Sequence, residues 1–185
     1  MFKPWRKFAG WTVAEYFLRN PTARIHIKGL ARELGVSPRT AEQYCKWYEA
    51  EGLLEKEKVA NASIYFLDND DFLAKALKRA WFLSELRKGL DLQAFAEENA
   101  LVSLALYGSR ASGEFTEKSD IDLLCITAGR RKAGQGKLGG LEARFAAQVG
   151  LTAYSVGEWR KLKEEKTPFY ESVKGNHVLL WGAGL

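Results

Sequence analysis

Two short groups of residues could do chemistry together. Gly108 and Ser109 follow an apolar run, and Asp120 and Asp122 head another after ten intervening residues, in YGSRASGEFTEKSDIDLLCI. A glycine lets the backbone turn sharply and come close to a ligand. A strand feeding such a turn directs N–H groups at an anion, and the serine hydroxyl adds a donor. Phosphate suits that arrangement. Strand side chains alternate, so the two aspartates are expected to point one way and Ile121 and Leu123 the other. Adjacent like charges repel and oppose folding unless something neutralises them. A magnesium ion does so, since it takes carboxylate and phosphate oxygens together. Each half alone also has a plain explanation: a turn, and an acidic strand start facing water.

The surrounding sequence supplies elements to position these groups. A helix is expected at about residues 90–99, then a short buried strand over 101–107 ending at the Gly-Ser pair. A second strand begins with the aspartates. Between it and the next strand lies GRRKAGQGKLGG, with five glycines and four basic residues. This reads as a solvated loop whose Arg130, Arg131 and Lys132, together with Arg110, could assist phosphate electrostatically.

Taken together, "GSRASGE" and "SDIDLL" resemble the minimal nucleotidyltransferase family of the DNA polymerase β superfamily. The resemblance covers roughly residues 90–185, with a Thr167-Pro168 helix start and a final apolar strand in the family's order. It implies a small mixed sheet flanked by helices. It also implies that Gly108 and Ser109, with Arg110 beside them, bind the triphosphate. Asp120 and Asp122 would be the catalytic carboxylates, holding one or two Mg²⁺ ions. The reaction would join a nucleoside monophosphate to an acceptor hydroxyl. Some members act as antitoxins and transfer AMP to a protein partner of the HEPN type. Active members usually carry a third carboxylate on a later strand. The matching strand here, 150–156, has no Asp or Glu, and Glu142 and Glu158 are the nearest substitutes.

The N-terminal half has a different pattern. Val13, Ala14, Phe17 and Leu18 repeat at helical spacing up to Asn20-Pro21. A short helix follows through Leu30, Ala31 and Leu34, with Gly35 set for a left-handed cap. Ser37 is a good N-cap, and Pro38 stands where a helix tolerates proline best. The third helix buries Ala41, Tyr44, Cys45 and Tyr48, leaving Arg39, Thr40, Gln43 and Lys46 on the other side. Tyr44, Trp47 and Tyr48 are expected in the core or at a dimer contact. A hairpin turning at residues 60–62 follows. Over about residues 10–67 this resembles the winged helix-turn-helix domains of prokaryotic transcription regulators, which implies DNA binding through Arg39, Thr40, Gln43 and Lys46. Winged helices also bind proteins, and Glu42 interrupts the basic face.

The expected architecture is therefore α+β / α/β in two domains. A winged helix-turn-helix spans 1–68, a linking helix 69–89 and a polymerase-β-like nucleotidyltransferase 90–185. Phe72, Leu73, Ala76, Leu77, Ala80 and Trp81 form the linking helix's expected apolar face, which could also pair two chains as a homodimer.

Charge agrees with this division. Residues 1–88 hold 16 Lys and Arg against 11 Asp and Glu, and residues 89–185 hold 12 against 12, so the net +5 lies entirely in the first half. That asymmetry hints at an acidic partner such as nucleic acid. The start, MFKPWRKFAGW, lacks the apolar core of a secretory signal, and no apolar run is long enough to span a membrane. A cytoplasmic location is expected. Cys45 and Cys125 form no metal-binding pair and read as buried reduced thiols, while His26 and His177 are left without a chemical role. Two functions stand open: Mg²⁺-dependent nucleotidyl transfer, or a DNA-binding regulator whose second domain only binds nucleotide.

Overall fold

The computed structural model describes residues 8–129 and 138–185, so Arg130, Arg131, Lys132 and the N-terminal MFKPWRK lie outside the described residues. The chain divides into two units, Met1–Ser84 and Glu85–Leu185. The first unit holds α1 (Ala9–Arg19), β1 (Ile25–His26), α2 (Ile27–Leu34), α3 (Pro38–Ala50), β2 (Leu54–Val59) and β3 (Ala62–Leu67). The ends of α2 and the start of α3 have local causes. His26 Nδ1 accepts the Gly29 N–H at 2.7 Å and caps α2, whose C-terminus closes on Gly35 at φ 65°. Ser37 Oγ accepts the Thr40 N–H at 3.0 Å, and Pro38 opens α3. The two-residue turn Ala60-Asn61 joins β2 to β3, with Ala60 at φ 50°.

The three strands form an antiparallel sheet in the order β1-β3-β2. Its core joins Val13 and Phe17 of α1, Leu30 of α2, Ala41 and Cys45 of α3, and Tyr65 of β3. Burying a side chain such as Phe17 is worth roughly 1.5–3 kcal/mol, so this shared core, more than helix propensity, holds three short helices. Burial pushes the Cys45 thiol up to about 12 and Cys125 likewise, which makes both inert core residues.

The boundary between the units falls within α4 (Phe72–Gly89). Asp71 Oδ1 caps this helix by accepting the Ala74 N–H at 2.9 Å. Its buried side agrees with the expected one at Leu77 and Trp81 and differs elsewhere. Phe72 is 82% exposed, and Leu73, Ala76 and Ala80 face water, while Ala74, Lys78, Trp81, Phe82, Glu85 and Leu86 are buried. The apolar pattern misleads because two polar residues go inside with partners. Lys78 Nζ donates to Asn69 Oδ1 at 2.9 Å, and Glu85 is bound by Lys88 and Arg144.

The second unit continues with α5 (Leu92–Glu98), β4 (Leu101–Tyr107), α6 (Ser109–Ser112), β5 (Ile121–Thr127) and α7 (Gly139–Phe145). It ends with β6 (Val149–Ser155), α8 (Val156–Glu164), α9 (Pro168–Gly175) and β7 (His177–Gly182). Its mixed sheet has the order β6-β5-β4-β7, with β5 and β6 parallel and the other pairs antiparallel. On one face, Leu124 and Ile126 pack with Trp159 of α8 and Tyr170 and Val173 of α9. Ile121, Leu123 and Cys125 alternate to the other face and are fully buried. Among the described residues, no helix is long and apolar enough to cross a membrane.

Candidate active site

The site is built where β4 ends and β5 begins. These strands are antiparallel, so Tyr107, the last residue of β4, pairs with Asp122, the second of β5. Gly108 then turns the chain, with φ 72° and ψ −158°. Glycine alone occupies that region without serious strain. Space imposes a second demand. A Cβ on Gly108 would stand 2.5 Å from Asp122 Oδ2, so the missing side chain lets the turn close directly onto the carboxylate. Ala111 and Ser112 N–H both bond back to Gly108 O, at 3.1 and 3.2 Å. The Ser109 amide precedes that first turn, where helix N–H groups lack intrahelical partners. With four residues, α6 has little dipole of its own, so the turn's amides and the Ser109 hydroxyl carry what anion affinity it has.

Asp120 stands exposed one residue before β5, and Asp122 is half-buried. Burial first, and the neighbouring Asp120 charge second, hold the Asp122 carboxyl above its ordinary range, while Arg110 opposes them. The pair therefore carries negative charge that the protein only partly offsets. Two hard oxygen donors with surplus charge suit a divalent cation such as Mg²⁺, which commonly takes one or two carboxylates and fills its octahedron with phosphate and water. No cluster of three or more acidic, His or Cys ligands occurs among the described residues. The fit is thus a two-carboxylate one.

Arg110 is 3% exposed, despite its place beside the turn. Its guanidinium turns inward onto the carbonyl oxygens of Ser119 and Asp120. Burial lowers its pKa to about 10, against the pull of Asp120 and Asp122.

The strand beyond Asp122 offers glycine. Parallel pairing sets Gly150 beside Asp122, and a Cβ there would lie 3.3 Å from Asp122 Oδ1. Gly108 and Gly150 thus flank the same carboxylate. The two alternative glutamates are in use elsewhere. Glu142 Oε1 accepts the Val149 N–H at 3.1 Å. Glu158 closes the capping box of α8 with Ser155, beyond the other end of β6 and about 16 Å of strand from Gly150.

Register also brings in neighbours with no signature in the chain. His177, Tyr107, Asp122 and Gly150 lie in one row across the four strands. Tyr107 hydroxyl meets Thr152 Oγ1 at 3.1 Å, and its ring packs edge-on against Phe169 at 5.7 Å. Asn176 Nδ2 donates to Gly108 O at 3.3 Å, tying the start of β7 to the turn. His177 Nδ1 lies 2.9 Å from Val173 O, which assigns that nitrogen the proton in a neutral ring. Only strand pairing could have revealed this row.

Residues 92–178 match the family model of the nucleotidyltransferase domain. The match runs from α5 into β7 and includes both halves of the site. It supports nucleotidyl transfer as the general activity of that domain. A candidate nucleotidyltransferase from Sulfolobus solfataricus, known from a crystal structure, is similar over 59% of this chain and 87% of its own, at 20% identity and a TM-score of 0.35. So distant a likeness adds nothing to the geometry above. No curated protein matches the chain significantly.

Outside the matched residues 92–178, α3 carries the other group of residues singled out in the sequence. Arg39 and Gln43 are exposed and line one shallow depression with Glu42, Lys46 and Trp47. Lys46 Nζ pairs with Glu42 at 2.7 Å, and Thr40 Oγ1 is 2.8 Å from Ser37 Oγ within the cap. Trp47 is not a core residue. It is 53% exposed, propped edge-on by Tyr44, whereas Tyr48 goes inward and donates to Gly10 O at 2.8 Å.

Proposed function

We propose that the protein is a Mg²⁺-dependent nucleotidyltransferase that moves a nucleoside monophosphate from a nucleoside triphosphate to an acceptor hydroxyl. The observation that carries this reading is the closure of Gly108 onto Asp122, where a Cβ would stand 2.5 Å from the carboxylate. That closeness would let one triphosphate touch the turn and a metal on the aspartates at once. Asp120 and Asp122 would hold the ion. Bound there, Mg²⁺ would neutralise charge on the transferring phosphoryl oxygens.

The chain's own groups would orient the substrate. The Ser109 amide and hydroxyl would donate to phosphate oxygens, and the Tyr107 ring and Asn176 would brace the turn from behind. The acceptor oxygen bonds to the α-phosphorus as the bond to pyrophosphate breaks, and pyrophosphate leaves with the electron pair. Glu142 and Glu158 serve structural hydrogen bonds, and on this reading the acceptor proton would pass to water or to the substrate's own phosphate. The acceptor is left as a hydroxyl, on a protein partner in the antitoxin-like case.

We infer that the first unit is a winged helix serving DNA or partner binding. Its support is the element order, the β1-β3-β2 sheet, and a Ser37-capped α3 exposing Arg39 and Gln43. A second reading, a DNA-binding regulator whose other domain binds nucleotide without transfer, is favoured by Gly150 standing beside Asp122. Incubation with each α-labelled nucleoside triphosphate, Mg²⁺ and a panel of acceptors tests the choice. Label attached covalently by the wild type, and lost in Asp120→Asn and Asp122→Asn, is the expected outcome. Binding of nucleotide with no transfer to any acceptor would instead leave the regulator.

A further inference from the structure

We infer that Arg110 is a positioning residue: a buried clasp that ties the Gly108 turn to the backbone of Asp120 and so sets where the metal-binding carboxylates stand. This rests on the reading of the site as a metal–nucleotide site. The clasp's geometry stands apart from that reading. Arg110 Nε donates to Asp120 O at 3.0 Å and to Ser119 O at 3.2 Å, and Nη2 donates to Ser119 O at 2.6 Å. The guanidinium carbon lies 4.9 Å from the Phe115 ring centroid and 5.6 Å from that of Phe145. Two aromatic rings and two carbonyls thus replace the water that the cation has lost.

The position of this contact in the chain explains its use. Arg110 follows the phosphate turn, and Ser119 and Asp120 end the connection that leads to the metal strand. The side chain bridges the neck of that connection. Inside it, Thr116 and Ser119 form a turn, with Thr116 N–H on Ser119 Oγ at 2.9 Å and Ser119 N–H on Thr116 O at 3.2 Å. Phe115, 1% exposed, anchors it from within. Asp120 itself is exposed and lies outside the regular strand, so no side-chain packing of its own sets its direction. Its carbonyl is held by Arg110, and the next amide, Ile121 N–H, is held by Gln148 O at 2.9 Å. Both sides of the Asp120–Ile121 peptide are therefore fixed. A planar fork can bind two carbonyls at once and stack on rings, which an ammonium cannot. Lysine should therefore replace the charge without the clasp.

Arg110→Lys and Arg110→Met test this with Mn²⁺ as the probe. Mn²⁺ affinity is measured by titration calorimetry, ATP affinity in EDTA, and amide hydrogen exchange at Ile121. The expected result is a drop of about 10–100-fold in Mn²⁺ affinity in Arg110→Lys, as for other residues that orient metal ligands. ATP affinity in EDTA stays unchanged, and Ile121 exchanges at least about tenfold faster while Ile126, deep in β5, stays protected. Arg110→Met does the same or unfolds; Arg110→Lys, which keeps the charge and most of the volume, decides in that case. Unchanged Mn²⁺ affinity with unchanged Ile121 exchange would overturn the proposal. So would loss of ATP affinity in EDTA with Mn²⁺ binding intact, since that is the mark of a direct phosphate contact. If the wild type binds no Mn²⁺, the metal-site reading fails by itself. Ile121 exchange then still decides whether the clasp exists: faster exchange in Arg110→Lys supports it, and unchanged exchange overturns it.

Discussion

The exposed face of α3 and the turn at Gly108 are built in opposite ways. On α3, Arg39, Gln43 and Trp47 follow at i, i+4 and i+8, so one helix places all three. Around Gly108 the parts come from β4, β5, β6 and β7 and meet through strand pairing. The first surface tolerates changes at single positions, because its side chains are exposed and each is placed by the helix backbone rather than by its neighbours. The second does not, because the Asp122 carboxylate fills the space that a side chain at Gly108 would need. Interaction surfaces can rest on helical spacing, while a site that must hold reacting atoms needs close, mutually fixed groups.

Two glycines with positive φ offer the strongest way to break that comparison. Gly108→Ala meets Asp122 Oδ2 in a glycine-only backbone region, whereas Gly35→Ala, at φ 65°, meets nothing within 4 Å. Nucleotidyl transfer should fall by about 100-fold or more in Gly108→Ala, as expected when a reacting group is misplaced by an ångström. Gly35→Ala should lose only about 1–2 kcal/mol of stability and keep its transfer rate. Equal rates in the two variants would mean the turn is not part of the site.

On α3, Arg39→Ala should weaken binding to short duplex DNA and lower the salt slope by about one. Lys46→Ala should do less, because Glu42 already holds its charge. Fluorescence anisotropy over a salt series separates these, and no DNA affinity at low salt would remove the DNA role. Ser37→Ala should cost about 1 kcal/mol in a thermal melt, through loss of the α3 cap, with nucleotide binding unaffected.

The smallest effect concerns the half-exposed Asp122. Its carboxyl titrates above the unfolded value, so the protonated form is favoured in the fold, and stability is lost as pH rises through the folded pKa. In EDTA, Asp122→Asn should therefore melt higher than wild type at neutral pH. The gap should close as pH falls below the ordinary carboxylate range, where both proteins carry no charge there. At neutral pH, Mg²⁺ should raise the melting temperature of the wild type and leave Asp122→Asn nearly unmoved.

Local chemistry was legible in the sequence. Ser37-Pro38 capped a helix, Gly35 ended one, and the strand over Leu101–Tyr107 began and stopped where its apolar run did. Burial was harder to read. Arg110 looked like a cation set toward phosphate and instead lies inside, because neighbouring carbonyls and rings satisfy it better than pattern suggests. Lys78 and Glu85 turned the expected apolar face of α4 for the same reason.

The sequence by itself determined the spacing of Gly108, Ser109, Asp120 and Asp122, and with it the kinds of donor available. Those depend on residue types and on neighbours within a few positions. Only the tertiary structure decided that Gly108 and Gly150 flank one carboxylate, that His177 and Tyr107 share its row, and that Arg110 holds Asp120 from behind. The physical reason is that strand register and burial are settled between distant segments, by pairing and desolvation that no local pattern records.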